Sequence, residues 1–301
     1  VPADDRLPTI SVVIPNFNSG DQLERAVRSV LDQGYPHLQI IIADAGSTDA
    51  SAATIERHRD RFAVVLREKD GGQADGLNRG FRRATGDVHC WLCSDDEYLP
   101  GALLHVGQLF RDHPDADVIS GGCERAFADD TTCAVPARPD PWAMIGIQNV
   151  VEQPSTFWRA DLHHRAGELD DSYHLAFDWD LWNRFARCGG RPLATDRVLS
   201  RYHFSDTNKS GNAGRGHATE SFRVVRRYGP LRGGLAYVFR FLYLHFDLPG
   251  CYDRPSTAGP VRTRLFWWVI LPTLRLLLGK RLLYAYNWHF ASRQERGLKW
   301  W

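Results

Sequence analysis

Short apolar runs alternate with helical patterns through the first 120 residues. Thr9 to Ile14 is a strand-like run ended by Pro15, and Leu23, Ala26, Val27, Val30 and Leu31 then recur at helical spacing on one face. Leu38 to Ala43 predicts a second strand halting at Asp44, Ser51 to Arg61 a helix, and Ala63 to Leu66 a third strand. Gln73 to Ala84 reads as a helix and Val88 to Leu92 as a fourth strand. Pro100 to Arg111 reads as a helix with proline in its first turn, and Ala116 to Ser120 as a fifth strand. Such alternation predicts an α/β fold with a mostly parallel central sheet covered by helices, because each parallel crossover lays a helix on a sheet face. Residues 121–150 are proline-rich and predict an irregular, variable loop region. A second ordered block runs from Gln153 to Ser210, and beyond it Arg, Trp, Phe, Tyr and Leu dominate.

Sheets of this kind bind ligands beyond the carboxyl ends of their strands. Pro15, Asn16, Asp44 and the pair Asp95–Asp96 all fall at those ends. Two adjacent acids after a buried-looking strand are disfavoured by repulsion and desolvation, and a divalent metal carrying phosphate offsets both. Gly71 and Gly72 leave backbone N–H groups open to a phosphate or sugar hydroxyl. Gln73, Asp75 and Asn78 follow on a helix start, with Asp75 and Asn78 on one face. For Asp75 a hydroxyl contact weighs evenly against a solvated helix face. The turn Asp44 to Asp49 also reads as a cap for the next helix through Ser47 or Thr48. Downstream, Leu181, Trp182, Phe185 and Ala186 form an apolar helical stripe, with Asp178 at the N-terminus of that helix.

Taken together, SVVIPNFN (Ser11–Asn18), IIADAGSTDA (Ile41–Ala50), GQADGLNRGFRRATGD (Gly72–Asp87), CSDD (Cys93–Asp96), QPSTFWRADL (Gln153–Leu162) and FDWDLWNRFA (Phe177–Ala186) resemble the inverting family-2 glycosyltransferases of the GT-A fold. The resemblance covers about Ser11 to Gly211. It implies that Asp96, with Asp95, binds Mn²⁺ or Mg²⁺ and the diphosphate of a nucleotide sugar. It also implies that Asp178 is the catalytic base. Pro15, Asn16, Asn18, Asp44, Gly72, Gln73, Asp75, Asn78, Ser94 and Asp95 are then donor contacts, with Asp44 reading the nucleobase. Glu152, Gln153 and Trp179 are placed at the acceptor. RYHFSDTNKSG (Arg201–Gly211) looks like the closing loop, in which His203 ligates metal or phosphate and Arg201 and Lys209 neutralise the leaving diphosphate. Three departures stand out: Ala45 replaces one acid, Phe177 replaces the acidic neighbour of the base, and Cys93 stands where many relatives carry Asp. The thiol reads as packing only, and Asp180 as a first-turn charge.

Composition adds less. The 301 residues are 43% hydrophobic and 24% charged with net charge +1, as expected for a folded chain of one large domain plus an appendage. That near-zero total hides 15 Lys/Arg against 4 Asp/Glu from Arg215 to Trp301, a local +11 set against −10 elsewhere. The expected division is a catalytic domain over 1–214, with a nucleotide-sugar half (9–120) and an acceptor half (150–211), and a helical extension over 215–301. Leu265 to Leu278 is 14 residues long with Pro272 and Arg275 inside it. A membrane span needs about 20 apolar residues, so the basic, tryptophan-rich tail is expected to lie on an anionic membrane surface. Cys90 and Cys93 form a CxxC within a strand pattern, where they face opposite sides, so neither a zinc nor a redox motif is expected. Scattered cysteines and an N-terminus without a signal pattern suit a cytoplasmic protein, peripheral on the inner face of the cell membrane. The expected partners are a nucleotide-diphosphate sugar, UDP-linked in preference, and a glycan or lipid-linked saccharide acceptor, with no nucleic acid. A catalytically silent, membrane-recruited sugar-nucleotide-binding protein is the alternative. A sugar nucleotidyltransferase is disfavoured because no GTRL-type loop follows the first strand, and a dehydrogenase because no GxGxxG does.

Overall fold

The computed structural model of the chain describes residues 7–127, 129–204, 214–229, 259–270, 272–273 and 276. They fall into two compact units, one formed by Val1–Trp142 with Val150–Ser205 and the other by Ala143–Asn149 with Asp206–Trp301.

The first unit is built on a nine-stranded sheet. Strands β1 (Ile10–Asn16), β2 (Leu38–Asp44), β3 (Val64–Arg67) and β4 (Val88–Trp91) pair in parallel in the order β3-β2-β1-β4. Helices α1 (Asp21–Leu31), α2 (Ser51–Arg57) and α3 (Gln73–Phe81) alternate with them, as the hydrophobic periodicity predicts. Every residue of β1 and of β4 is buried, as strands with both faces covered require. The fit is close: a Cβ at Gly80 on α3 would come 2.5 Å from Val13 Cγ1 on β1, so only glycine lets this helix approach the strand.

Beyond β4 the sheet becomes mixed. The short β5 (Glu97–Tyr98) leads to α4 (Ala102–Asp112), then β6 (Val118–Phe127) and β7 (Thr132–Val135). β8 (Thr156–Arg159) inserts antiparallel between β4 and β6, and β9 (Pro192–Phe204) runs parallel to β6 and antiparallel to β5. Three expectations change here. Residues 121–150 are not simply loop, because β6 continues to Phe127, turns back into β7, and a short helix α5 spans Trp142–Ile145. The helix expected over Ser51–Arg61 ends at Arg57, and Arg59–Arg61 form a 3₁₀ turn. Arg201 and His203 belong to the end of β9 rather than to a loop, while Lys209 lies outside the described residues.

An aromatic cluster joins the sheet to helices α6 (Ala160–Ala166) and α7 (Phe177–Arg187). Trp91 stacks on Trp182 with centroids 5.7 Å apart and planes 4° from parallel, and Trp158 meets both edge-on at 5.3 and 5.4 Å. His89 of β4 and His163 of α6 are buried in the same cluster, their Nδ1 atoms 3.1 Å apart. One neutral ring must donate to the other, so protonating the acceptor ring at Nδ1 breaks the bond. Burial pushes the His89 pKa down to about 4 and that of His163 to about 3, and the neighbouring imidazoles add to both shifts.

In the second unit the described residues include helix α8 (Gly214–Tyr228), with Phe222, Val224 and Val225 buried. They also include a helical turn at Pro260–Leu265 that runs into a π-helical turn at Phe266–Ile270. Among the described residues no helix is long and apolar enough to cross a membrane.

The histidine pair predicts an acid-sensitive fold. An unfolded histidine titrates near 6.5, so below that pH the unfolded chain binds protons that the folded pair refuses. The pair's contribution is complete above pH ~6.5 and drains away as pH falls toward the folded values near 4 and 3. The loss at pH 5 is ~2 kcal/mol per histidine at most. Urea denaturation at pH 7 and pH 5 measures it, with a His89→Leu/His163→Leu double variant expected to show a clearly shallower pH slope. An equal slope in the variant would assign the acid sensitivity to other groups.

Candidate active site

The carboxyl ends of β1, β2 and β4 form one rim. Register places Asn16 beside Asp44 and Asp44 beside Arg67, and brings Val13 level with Trp91, two residues before Cys93. Side chains lock the first two turns together. Asn16 Nδ2 donates to Asp44 Oδ1 at 2.7 Å and to Ser47 Oγ at 3.0 Å. The Asn18 backbone N–H donates to Ser47 Oγ at 2.8 Å, and Asn18 Oδ1 accepts from the Thr48 N–H at 2.9 Å. Asp44 also accepts from the Ser47 hydroxyl and N–H and from Arg67 Nε, and its side chain is fully buried. The Asp44 carboxylate is thus engaged by the turn, and a nucleobase would have to displace one of its donors. Asn16 Oδ1, by contrast, is buried with no hydrogen-bond partner. Asp49, not Ser47 or Thr48, serves the start of α2, accepting from the Ser51 N–H at 3.0 Å.

The glycine turn is also more self-contained than its composition predicts. The Gly71 N–H donates to Asp75 and the Gly72 N–H to Asp70, both at 2.9 Å, so neither amide is open. Gly72 is nonetheless required, because its φ of +123° excludes other side chains. Asp75 is held by Arg79 as well, at 2.8 Å, and both contacts keep its carboxyl below the usual range. Asn78 departs furthest from expectation. Its carboxamide donates to the Leu169 carbonyl at 2.9 Å and accepts from the Leu169 N–H at 2.8 Å, clamping a distant loop. Both polar atoms of its side chain are engaged by that loop.

The acid pair follows β4. Asp96 is 1% exposed, and neither carboxylate oxygen has a hydrogen-bond partner. Burial, with repulsion from Asp95, raises its pKa well above the usual carboxylate range; the His203 main chain and Arg25 oppose this only in part. Burial raises Asp95 too. Buried carboxylate oxygens are almost always satisfied, so this geometry fits a cation. Cys93, Asp95 and Asp96 present ligand atoms within 4.8 Å of one another, a spread that one ion can bridge with bonds of about 2.0–2.6 Å.

Around the pair lie groups that the sequence did not single out. Arg25 of α1 pairs with Glu97 at 3.0 Å and reaches the Asp95 carbonyl at 3.4 Å. Glu97 also accepts from His203 Nε2 at 2.5 Å, so His203 is paired with Glu97 instead of joining the metal-ligand cluster. Glu97 comes directly after the acid pair in sequence, which was the available signal. Ser94 Oγ meets Ser19 Oγ at 2.6 Å. Arg201 and Glu152, expected at the leaving group and acceptor, pair with Glu124 and Arg125 at 2.5 and 2.7 Å.

Helix α7 begins beside this strand end. Phe177 lies 6.1 Å from the Trp91 ring and Trp182 stacks on it, fixing the first turn that carries Asp178. Asp178 is half-buried, and its Oδ1 accepts from the Trp179 N–H at 2.6 Å. Asp180 is a first-turn charge of α7, as expected, and it is fully buried, pairing at 2.8 Å with Arg184, which also donates to the carbonyls of Ala166 and Gly167. Trp179 is buried as well. Gln73 and Gln153 both turn toward Cys93.

Known proteins resemble this chain in sequence and fold. An uncharacterised glycosyltransferase of Rickettsia prowazekii is 25% identical over 214 residues, 67% of either chain. One from Nostoc is 37% identical over 184 residues, 58% of this chain and 56% of that one. A Bacillus subtilis protein named for teichuronic acid biosynthesis, TuaG, is 37% identical over 94 residues, 30% of this chain and 37% of its own. The structure of Staphylococcus aureus TarS 1–349 with UDP superposes at a TM-score of 0.59 and 16% identity, covering 97% of this chain and 93% of that one. A mannosyltransferase of Pyrobaculum calidifontis, in complex with GDP-Man and Mn²⁺, gives 0.57 at 17% identity over 99% and 90%. The fold is GT-A, and with residues 11–167 matching the profile of glycosyl transferase family 2, the chain belongs to that family.

Proposed function

We propose that the chain is a divalent-metal-dependent, inverting glycosyltransferase that moves a sugar from a UDP-sugar to a glycan or lipid-linked saccharide. The observation that carries this reading is Asp96, buried at the end of β4 with both oxygens unpartnered. Asp96 and Asp95 would hold Mn²⁺ or Mg²⁺. A cation held there would supply the charge that neutralises a departing diphosphate. Arg25 lends positive charge from the helix side, and His203 is held near the pair through Glu97. Asn16 Oδ1 is the acceptor left open on the rim for a ligand N–H or O–H. Asp178 takes the proton of the acceptor hydroxyl as it attacks the anomeric carbon. A single base opposite a leaving diphosphate gives one displacement and therefore inversion. Solved relatives in fold were captured with UDP, UDP-GlcNAc and GDP-Man with Mn²⁺, and TuaG is named for teichuronic acid biosynthesis. Both support a nucleotide-sugar donor and a polymeric acceptor.

The tail places the enzyme at an anionic membrane surface, on the cytoplasmic side, without spanning it. Val261, Leu265, Trp268 and Val269 are exposed on the turns over 260–270, together with Arg262 and Arg264. Apolar and aromatic side chains among arginines suit the headgroup layer.

Three outcomes are expected. Asp96→Asn abolishes Mn²⁺-dependent UDP binding in calorimetry, because an amide is a poor ligand for a hard dication; unchanged affinity would remove Asp96 from the metal site. Asp178→Asn keeps UDP affinity and loses transfer by about 10²- to 10⁴-fold. Wild-type transfer would end the base assignment, and loss of UDP binding would move Asp178 to the donor. Vesicles rich in anionic lipid should co-sediment the full chain, less so as salt rises, and a chain ending near Tyr228 should remain in the supernatant. Equal partitioning of both chains would make the tail a packing element.

A further inference from the structure

We propose that the Cys93 sulfur is a metal ligand that biases this site toward softer divalent cations such as Co²⁺ and Zn²⁺ over Mg²⁺. The inference rests on the metal-dependent reading above and names the residue that sets its selectivity.

Three observations carry it. First, Cys93 Sγ lies in one cluster with Asp95 and Asp96, all ligand atoms within 4.8 Å of one another. Second, Asp96 is 1% exposed, both its oxygens are buried without a hydrogen-bond partner, and one of them belongs to that cluster, so the cluster holds a buried coordinating group. Third, the sulfur is placed, not merely packed. Gln73 Nε2 donates to Sγ at 3.3 Å, and Gln153 Oε1 accepts from the thiol at 3.6 Å. Gln153 is itself anchored by donating from Nε2 to the Trp91 carbonyl at 2.9 Å. The Gln73 amide suits a thiolate as well as a thiol, because it donates to the sulfur in either state.

The chemistry follows from ligand softness. Mg²⁺ binds oxygen and keeps its water, whereas thiolate favours metals later in the first transition row and zinc. As the metal–sulfur bond forms, the S–H proton passes to solvent and the coordinating species is the thiolate. A Cys-Asp-Asp set leaves positions for diphosphate oxygens and water, so the sulfur tunes the ion without closing the site to donor.

Cobalt reads this directly. Titrating the full chain with Co²⁺ in the presence of UDP should give a sulfur-to-cobalt charge-transfer absorption that saturates with the calorimetric binding isotherm. Cys93→Ser should lose that band while still binding Mn²⁺ with UDP. Cys93→Asp should also lose it and shift the ratio of Co²⁺ to Mg²⁺ affinity toward Mg²⁺ by about tenfold or more. Melting curves of both variants check folding, and retained Mn²⁺–UDP binding in either one shows an intact site. Cobalt binding without the band, or a band that survives both substitutions, overturns the proposal and leaves the metal-dependent reading standing. No divalent-cation binding by the wild-type chain, with or without UDP, overturns both.

Discussion

The packing of Trp91 against Trp182 is the contact on which the rest of this site depends. Trp91 is the last residue of the strand that leads into Cys93–Asp96, and Trp182 lies one helical turn beyond Asp178. Stacked indoles therefore fix the acid pair and the proposed base on neighbouring elements. Phe177, Trp158, Phe81 and Phe185 close around them, each fully or almost fully buried. Burying such rings stabilises by ~2–3 kcal/mol apiece from apolar area. The Nε1 atoms of Trp158 and Trp182 lack partners, and each offsets that gain by ~1–3 kcal/mol. The chain has placed its largest side chains where rigidity matters, at some expense in hydrogen bonding.

Asp96 works against the same core. A buried carboxyl beside another acid is disfavoured as an anion, and burial with the repulsion of Asp95 raises its pKa well above the usual range. Elsewhere buried charge is matched: Asp180 has Arg184, and Asp44 has Asn16, Ser47 and Arg67. The contrast within one molecule separates structural acids from one reserved for a ligand.

That contrast also explains what was legible in the sequence. Strands β1 to β4 were readable because buried parallel strands are continuous apolar runs, and CSDD stood out because acids rarely follow such a run. Periodicity placed α7 within a residue of its end. What periodicity cannot supply is the partner across space. Asn78 looked like a donor contact until Leu169, 91 residues away, took both of its polar ends. Gly71 and Gly72 looked open until Asp70 and Asp75 filled their amides. Asp180 was readable as a first-turn charge, but its burial against Arg184 was not. Cys93 looked like filler, because only the fold brings Gln73 and Gln153, 80 residues apart, to one sulfur. The mixed half of the sheet was hidden for a related reason: β8 is four residues long and its direction depends on neighbours.

The lock between Asn16, Asn18, Asp44 and Ser47 bears on how tightly this rim can hold a ligand. Two turns joined by side-chain bonds surrender their conformational freedom when the protein folds, so a ligand arriving later has little left to freeze. Breaking the lock at Ser47, by contrast, would leave the ligand contacts in place and transfer an ordering entropy to the binding step. Such a loss would appear in the temperature dependence of affinity before it appeared in any static picture of the site.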